Sequence, residues 1–173
     1  MYWSERKDGE VIDGGRTTTT DAGFEAFYAE WREPLRRAVA LATGDVMAAG
    51  EGVDEAMTRA LARWDRISSY DMPEGWVYRV ALNWSRGLFR KRNRELLTAI
   101  DTDTARSDSL PDVDLIAAVE RLSARHRAVV IARFYLDWST AEVAGALDVA
   151  EGTVKSRLSR ALDQLARDLG GER

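Results

Sequence analysis

Three groups of residues in this chain have types and spacings suited to chemistry. The first lies in DVAEGTVKSRLSRAL, residues 148–162. Val154, Leu158, Ala161, Leu162 and Leu165 recur at the spacing of one buried helix face. The other side carries Gly152, Ser156 and Ser159 beside Lys155, Arg157 and Arg160, where a merely solvated face would carry long charged side chains throughout. Small residues flanked by cations suit close approach by something anionic. The second group is Arg79, Asn83, Arg86 and Arg90, spaced to share one face of another helix. No Glu or Asp lies between residues 75 and 94, and residues 86–94 hold five bases. Unpaired like charges repel and favour a phosphate partner. Trp76 and Tyr78 lie beside this face, where an exposed aromatic stacks an unpaired base; either is equally placed to be core. The third group, Glu51, Asp54 and Glu55, lies on the polar side of a helix without His or Cys nearby. It reads as a solvated or protein-contacting face, and acids near a helix start also complement its dipole.

Catalytic readings find little support. His126, the single histidine, has no spaced partner for acid–base work. There is no Gly-rich phosphate loop and no Ser/His/Asp arrangement, so the expectation is a non-enzyme with no cofactor and no metal.

The elements that position these residues are helical. Phe24, Phe27, Tyr28 and Trp31 share a face. Pro34 is placed to start a second helix, and Gly44 to end it. Val53, Ala56, Met57, Ala60, Leu61 and Trp64 form an unbroken stripe. After the loop SSYDMPEG, a helix buries Val77, Val80, Ala81, Trp84 and Leu88 opposite the basic face. Further on, helices are expected near 113–122, 124–136 and 140–147, the last opening on Ser139 and Glu142 as a capping box. Val143, Ala144 and Leu147 then pack against Val154 and Leu158 across a turn at Asp148 and Val149, a helix-turn-helix. In that motif the second helix enters the major groove. Gly152, Thr153, Lys155, Ser156, Arg157 and Arg160 are therefore the candidate DNA-reading residues. An ordinary amphipathic hairpin with a solvated basic edge would show the same stripe.

The fold class is thus all-α: two small helical domains joined by a flexible linker, the C-terminal one containing the helix-turn-helix. The expected boundaries are a disordered tail over 1–20, a first domain over 21–97, an acidic linker over 98–114 and a second domain over 115–170. Apolar content of 45% suffices for packed cores in 173 residues, and the absence of cysteine excludes disulfides. No run approaches the ~18 apolar residues of a membrane span, and the N-terminus has no apolar signal region; a cytoplasmic protein without membrane insertion is expected. The net charge of −4 is unevenly distributed. Residues 1–23 carry five acids against three bases, and residues 98–114 five against one. Residues 24–97 hold 12 bases against 11 acids, and residues 115–173 nine against eight, so net charge does not argue against DNA.

Taken in order, FYAEWREPLRRAVALATGD, VDEAMTRALARW, GWVYRVALNWSRGLFRKR, an acidic linker and RLSARHRAVVIARFYLDWSTAEVAGALDVAEGTVKSRLSRAL resemble a group 4 (extracytoplasmic-function) sigma factor of bacterial RNA polymerase, with its regions 2 and 4. The likeness covers roughly residues 24–169. It implies that Glu51, Asp54, Glu55 and Arg59 bind the clamp of the polymerase's largest subunit, while region 4 meets the flap. It implies that the loop from Ser68 to Glu74, with Ser69 and Tyr70, and the helix bearing Trp76, Tyr78, Arg79, Asn83, Arg86 and Arg90 recognise and open the −10 element. The 151–162 stretch would read the −35 element, and the linker would thread the polymerase. Family members are often held by an anti-sigma factor. This chain departs from the family at Glu51-Gly52, where Asp-Leu is common, with an expected loosening of the helix start because an interior Gly costs about 1 kcal/mol against Ala. It also departs at Gly87, at Asp148 in the turn, and at Ala150, which loses an N-cap worth roughly 1 kcal/mol. The alternatives are a free-standing helix-turn-helix regulator that binds duplex DNA without polymerase, and then a helical adaptor with solvated basic faces.

Overall fold

Val53, Ala56, Met57 and Ala60 need cover on both flanks, and the helices before and after them supply it. The computed structural model of the chain describes residues 16–96 and 111–170. Its helices are α1 (Arg16–Thr43), α2 (Val46–Leu61), α3 (Trp64–Ile67), α4 (Pro73–Leu96), α5 (Pro111–Arg121), α6 (Ala124–Phe134), α7 (Thr140–Leu147) and α8 (Glu151–Gly170). No strand occurs among the described residues. In the N-terminal half α2 packs between α1 and α4. Asp45 caps α2, its carboxylate accepting from the Ala48 amide at 2.8 Å, which satisfies one of the orphan amides at a helix start.

Gly52 lies inside α2 rather than at its start, and its surroundings are tight, contrary to the looseness expected from its sequence. A Cβ there would collide with the Ser85 hydroxyl oxygen and stand 2.9 Å from the Ala81 carbonyl oxygen. Gly52 is therefore the point where α2 crosses α4 backbone to backbone. Ser85 is buried with it and donates its hydroxyl to the Ala48 carbonyl oxygen at 2.8 Å, so the crossing buries no unsatisfied hydroxyl.

Pro34 does not begin a helix either; it lies inside α1. Proline removes one main-chain hydrogen bond, and neighbouring interactions span the gap. Glu33 accepts from Arg36 and Arg37, each at 2.8 Å, and Leu35, Ala38, Val39 and Ala42 beyond it have no exposed surface. At the other end, the helix begins at Arg16, inside the stretch expected to be tail; threonines extend a helix that is already nucleated more readily than they start one. Residues 1–15 and 97–110 lie outside the described residues, and α5 starts at Pro111, within the expected linker, with proline at the first helical position. Gly44 ends α1 with a positive φ of 74°.

In the C-terminal half the capping box is present. The Glu142 amide donates to the Ser139 hydroxyl at 3.2 Å, and the Ser139 amide donates to the Glu142 carboxylate at 2.6 Å. Three residues of the expected stripes face outward: Tyr28 is 37% exposed, Leu61 46% and Leu162 45%. Leu162 lies instead beside Leu115, Ile116 and Phe134 in an apolar groove between α1, α5, α6 and α8.

The two halves share one continuous apolar core rather than standing apart. α6 packs on α1, and α7 packs on α4. Tyr78 of α4 is wholly buried; its hydroxyl donates to the Ala128 carbonyl oxygen at 3.1 Å, and its ring meets Trp138 edge-on at 5.5 Å. Gly75 admits Ala146 so closely that a Cβ would stand 3.0 Å from the alanine methyl.

Gly52→Ala separates two opposing effects. Helix propensity alone would stabilise by about 1 kcal/mol, whereas overpacking costs roughly 1–3 kcal/mol. Because the obstructing atoms include backbone, net destabilisation is expected in a urea titration of the full chain. Glu33 offers a pH test. Its carboxyl is lowered from 4.5 to about 2 by hydrogen bonds from Arg36 and Arg37. A depressed carboxyl stabilises the fold above its unfolded pKa, and that contribution fades as pH falls. Glu33→Gln should therefore lower the melting temperature at pH 7, with the two proteins converging as pH drops from about 4.5 towards 2.

Candidate nucleic-acid interface

The turn between α7 and α8 is built by Asp148, which adopts left-handed geometry with φ 56° and ψ 51°. Asp tolerates this region better than most residues. The Val149 amide closes back on the Ala144 carbonyl oxygen at 3.0 Å, a helix-ending bond that turns the chain within three residues. Val154, which is fully buried, then fixes α8 against α7.

This arrangement turns the small-residue face of α8 outward. Gly152, Lys155, Ser156 and Arg160 are exposed, and no atom approaches within 4 Å of a Cβ built on Gly152. Thr153 is half-buried, and its carbonyl oxygen accepts from the Ser156 hydroxyl at 3.0 Å. Lys155 reaches Glu151 only at 3.8 Å. The missing cap at Ala150 is partly offset, because its carbonyl oxygen accepts from both Thr153 and Val154.

The basic face of α4 is arranged differently: it points inward, at the C-terminal half. Arg79 pairs with Asp148 at 3.1 Å, and Arg86 donates to the Ala124 carbonyl oxygen at 3.0 Å. Asn83 is exposed. Of the two aromatics expected beside this face, Tyr78 is core and Trp76 is half-buried. Burial pushes the Tyr78 phenol well above its usual range, so it stays a neutral hydrogen-bond donor. In the preceding loop Ser69 donates to the Arg66 carbonyl oxygen at 2.7 Å, and Tyr70 is buried. The Arg90 side chain lies outside the described residues. Gly87 is exposed with open space around it.

The acidic group is gathered on the outer face of α2. Glu51, Asp54 and Arg59 are exposed and Glu55 is half-buried. Glu55 accepts from Arg59 at 2.7 Å, and Asp54 pairs with Arg32 of α1 at 2.9 Å. Among the described residues no cluster of potential ligands is suited to a metal ion, and no helix is long and apolar enough to cross a membrane.

Between the two basic surfaces lies a cavity of about 420 Å³, into which Arg79 and Arg86 project from α4, Arg125 from α6 and Arg157 from α8. Two residues escape sequence reasoning. Arg125, which lines this cavity, shows only as a neighbour of His126, and Trp138, which packs on Tyr78, as one aromatic among several; both gain meaning from tertiary packing. His126 itself is half-buried, with its imidazole pKa lowered by burial first and then by Arg125, Arg160 and Arg157.

Residues 112–165 match the family described as Sigma-70, region 4. The chain is 35% identical over 170 residues to the ECF RNA polymerase sigma factor SigL of Mycobacterium tuberculosis (strain ATCC 25618 / H37Rv), an alignment covering 90% of this chain and 96% of that protein. It is 28% identical over 151 residues to the RNA polymerase sigma-E factor of Streptomyces coelicolor, over 84% of this chain and 85% of that one. The sigma factor RpoE from Bartonella quintana, solved with the anti-sigma factor NepR, superposes with a TM-score of 0.68 at 25% identity, over 87% of this chain and 99% of that one. CnrH, solved with the cytosolic domain of CnrY, shares the fold with a TM-score of 0.64 at 20% identity, over 90% and 96% of the two chains. The helical architecture, the outward small-residue face and these likenesses over nearly the whole length establish that the chain belongs to the ECF family of RNA polymerase sigma factors.

Proposed function

We propose that this sigma factor acts in the cytoplasm by binding rather than by catalysis. It gives core RNA polymerase its promoter choice through two separate DNA contacts and helps to open the duplex. The observation that carries this reading is the outward face of α8, where Gly152 and Ser156 leave room for a groove edge and Lys155 and Arg160 flank it. Small residues let a recognition helix sit deep, and the cations beside them reach bases and phosphates. In this reading Thr153, Lys155, Arg157 and Arg160 contact the −35 element. Arg79, Asn83, Arg86 and Arg90 contact the −10 region, with Ser69, Tyr70 and Trp76 beside the strand that is unstacked.

The two contacts are not equally available. A major groove is about 12 Å wide, and no duplex fits into the cavity of about 420 Å³ that separates α4 from α8. Reading both elements therefore requires the halves to separate, which also releases Tyr78 from Trp138. Core polymerase is the agent of that separation in our reading. Its clamp takes the outer face of α2 through Glu51, Asp54, Glu55 and Arg59, and its flap takes the C-terminal half. Linked weak sites then gain through effective concentration. An anti-sigma factor is a second partner, as in the RpoE complex with NepR. The apolar groove of about 530 Å³ between α1, α5, α6 and α8, with Phe134 59% exposed at its edge, offers such a partner a surface drawn from both halves.

Arg157→Ala combined with Arg160→Ala removes two contacts worth about 1–3 kcal/mol each. Run-off transcription from a −35-dependent promoter should fall at least tenfold, while co-elution with core polymerase stays intact; loss of co-elution would overturn this division of labour. Arg79→Ala with Asn83→Ala should leave polymerase binding unchanged and suppress permanganate reactivity of thymines around −10. Undiminished reactivity would remove α4 from the opening step.

A further inference from the structure

The cleft between α4, α6 and α8 gathers arginines from three helices. Several arginines elsewhere meet carboxylates one to one: Arg32 meets Asp54, Arg59 meets Glu55, Arg121 meets Asp168 and Arg133 meets Asp137. In the cleft four guanidiniums, those of Arg79, Arg86, Arg125 and Arg157, line one cavity, and among the described residues that line it Asp148 is the single carboxylate. Asp148 is taken by Arg79 at 3.1 Å, and Arg86 is held by the Ala124 carbonyl oxygen. Arg125 and Arg157 have no carboxylate within ion-pair distance among the described residues. The positive field also reaches His126, because Arg125, Arg160 and Arg157 add to burial in disfavouring its protonation.

Closing the two halves therefore gathers like charges, which costs free energy unless an anion enters. Guanidiniums recognise phosphate oxygens through paired, geometrically fixed N–H donors. The cavity, about 420 Å³, falls within the roughly 300–1,000 Å³ of small-molecule sites, and Leu82 and Val149 give it an apolar portion. A single phosphate would engage one or two of these arginines. A short chain of phosphates carries enough oxygens to engage arginines from α4, α6 and α8 together.

We propose that this cleft binds a compact oligophosphate, the chain of two or three phosphates carried by pyrophosphate, tripolyphosphate and nucleoside polyphosphates, and that its binding fastens the two halves together. A ligand held by residues of both halves binds only the closed arrangement, and so shifts the population towards it. Because Arg79, Arg86 and Arg157 are also the proposed promoter contacts, the ligand competes with DNA; this consequence rests on the function proposed above, whereas the binding itself does not.

The test uses the full-length chain with sodium tripolyphosphate as probe and sulfate at matched ionic strength as control. Calorimetry should show saturable binding of one tripolyphosphate per chain, and the melting temperature should rise more than with sulfate. Arg125→Ala changes a residue outside the proposed promoter contacts and should weaken tripolyphosphate binding at least fivefold. With magnesium in excess, tripolyphosphate added before core polymerase should reduce run-off transcription by the wild type. Arg125→Ala should transcribe normally without the probe and resist that inhibition. Equal effects of sulfate and tripolyphosphate, or undiminished binding by Arg125→Ala, overturn the site. ATP binding as tightly as tripolyphosphate supports recognition of the phosphate chain alone, and tighter binding by ATP adds a base on the apolar portion. Tripolyphosphate binding by a protein that directs no transcription would support the site while removing the functional reading above.

Discussion

A tyrosine with no exposed surface holds the halves of this sigma factor together. Tyr78 projects from α4 into the C-terminal half, where the Ala128 carbonyl oxygen accepts its hydroxyl proton and Trp138 packs edge-on against its ring. An aromatic of this size removes some 150–250 Å² from water, and an edge-to-face partner adds about 0.5–1.5 kcal/mol beyond that area. The hydrogen bond contributes less, about 1 kcal/mol net, but leaving the phenol hydroxyl unmet in an apolar setting would cost more. Tyr78 is thus bound to one outcome or the other: packed within the core, or released into water with Trp138 beside it. Arg79, the next residue, follows it, and so does the direction in which the basic face of α4 points.

The two surfaces proposed to read DNA are consequently unequal in the closed protein. The small-residue face of α8 looks outward with nothing near Gly152, whereas Arg79 and Arg86 of α4 are engaged with Asp148 and Ala124. Under the proposed roles, duplex contact at α8 is geometrically available before strand contact at α4. Opening a duplex costs a few kcal/mol of unstacking per base, and a protein that exposed its strand-binding face continuously would present unpartnered cations and aromatics to any nucleic acid.

Much of this was legible in the residues, for identifiable reasons. The helix-turn-helix is encoded locally: a capping box at Ser139, a residue tolerant of left-handed geometry at Asp148 and a 3.6-residue stripe through Val154 and Ala161 all agree. The helix through Pro34 was not legible, because what carries it across the proline is an ion-pair cluster at Glu33 together with tertiary burial of Leu35 and Ala38. Gly52 reads as a defect by helix propensity, and only the proximity of Ser85 and the Ala81 backbone reveals a crossing point. Tyr78 and Trp76 are equivalent by periodicity alone; a partner fifty residues away decides which one is core. The outward turn of Leu162 similarly depends on α5 and α6. Local signals survive translation into structure, while contacts between the halves have no counterpart in spacing.

The shape of α1 has a mechanical consequence. Unbroken by Pro34, this helix of 28 residues is about 42 Å long at 1.5 Å per residue, and it touches α2, α4 and α6. The C-terminal half is thus moored on two helices, through α6 on this rod and through α6 and α7 on α4. Undoing one mooring leaves the other in place, so full detachment requires both to give way.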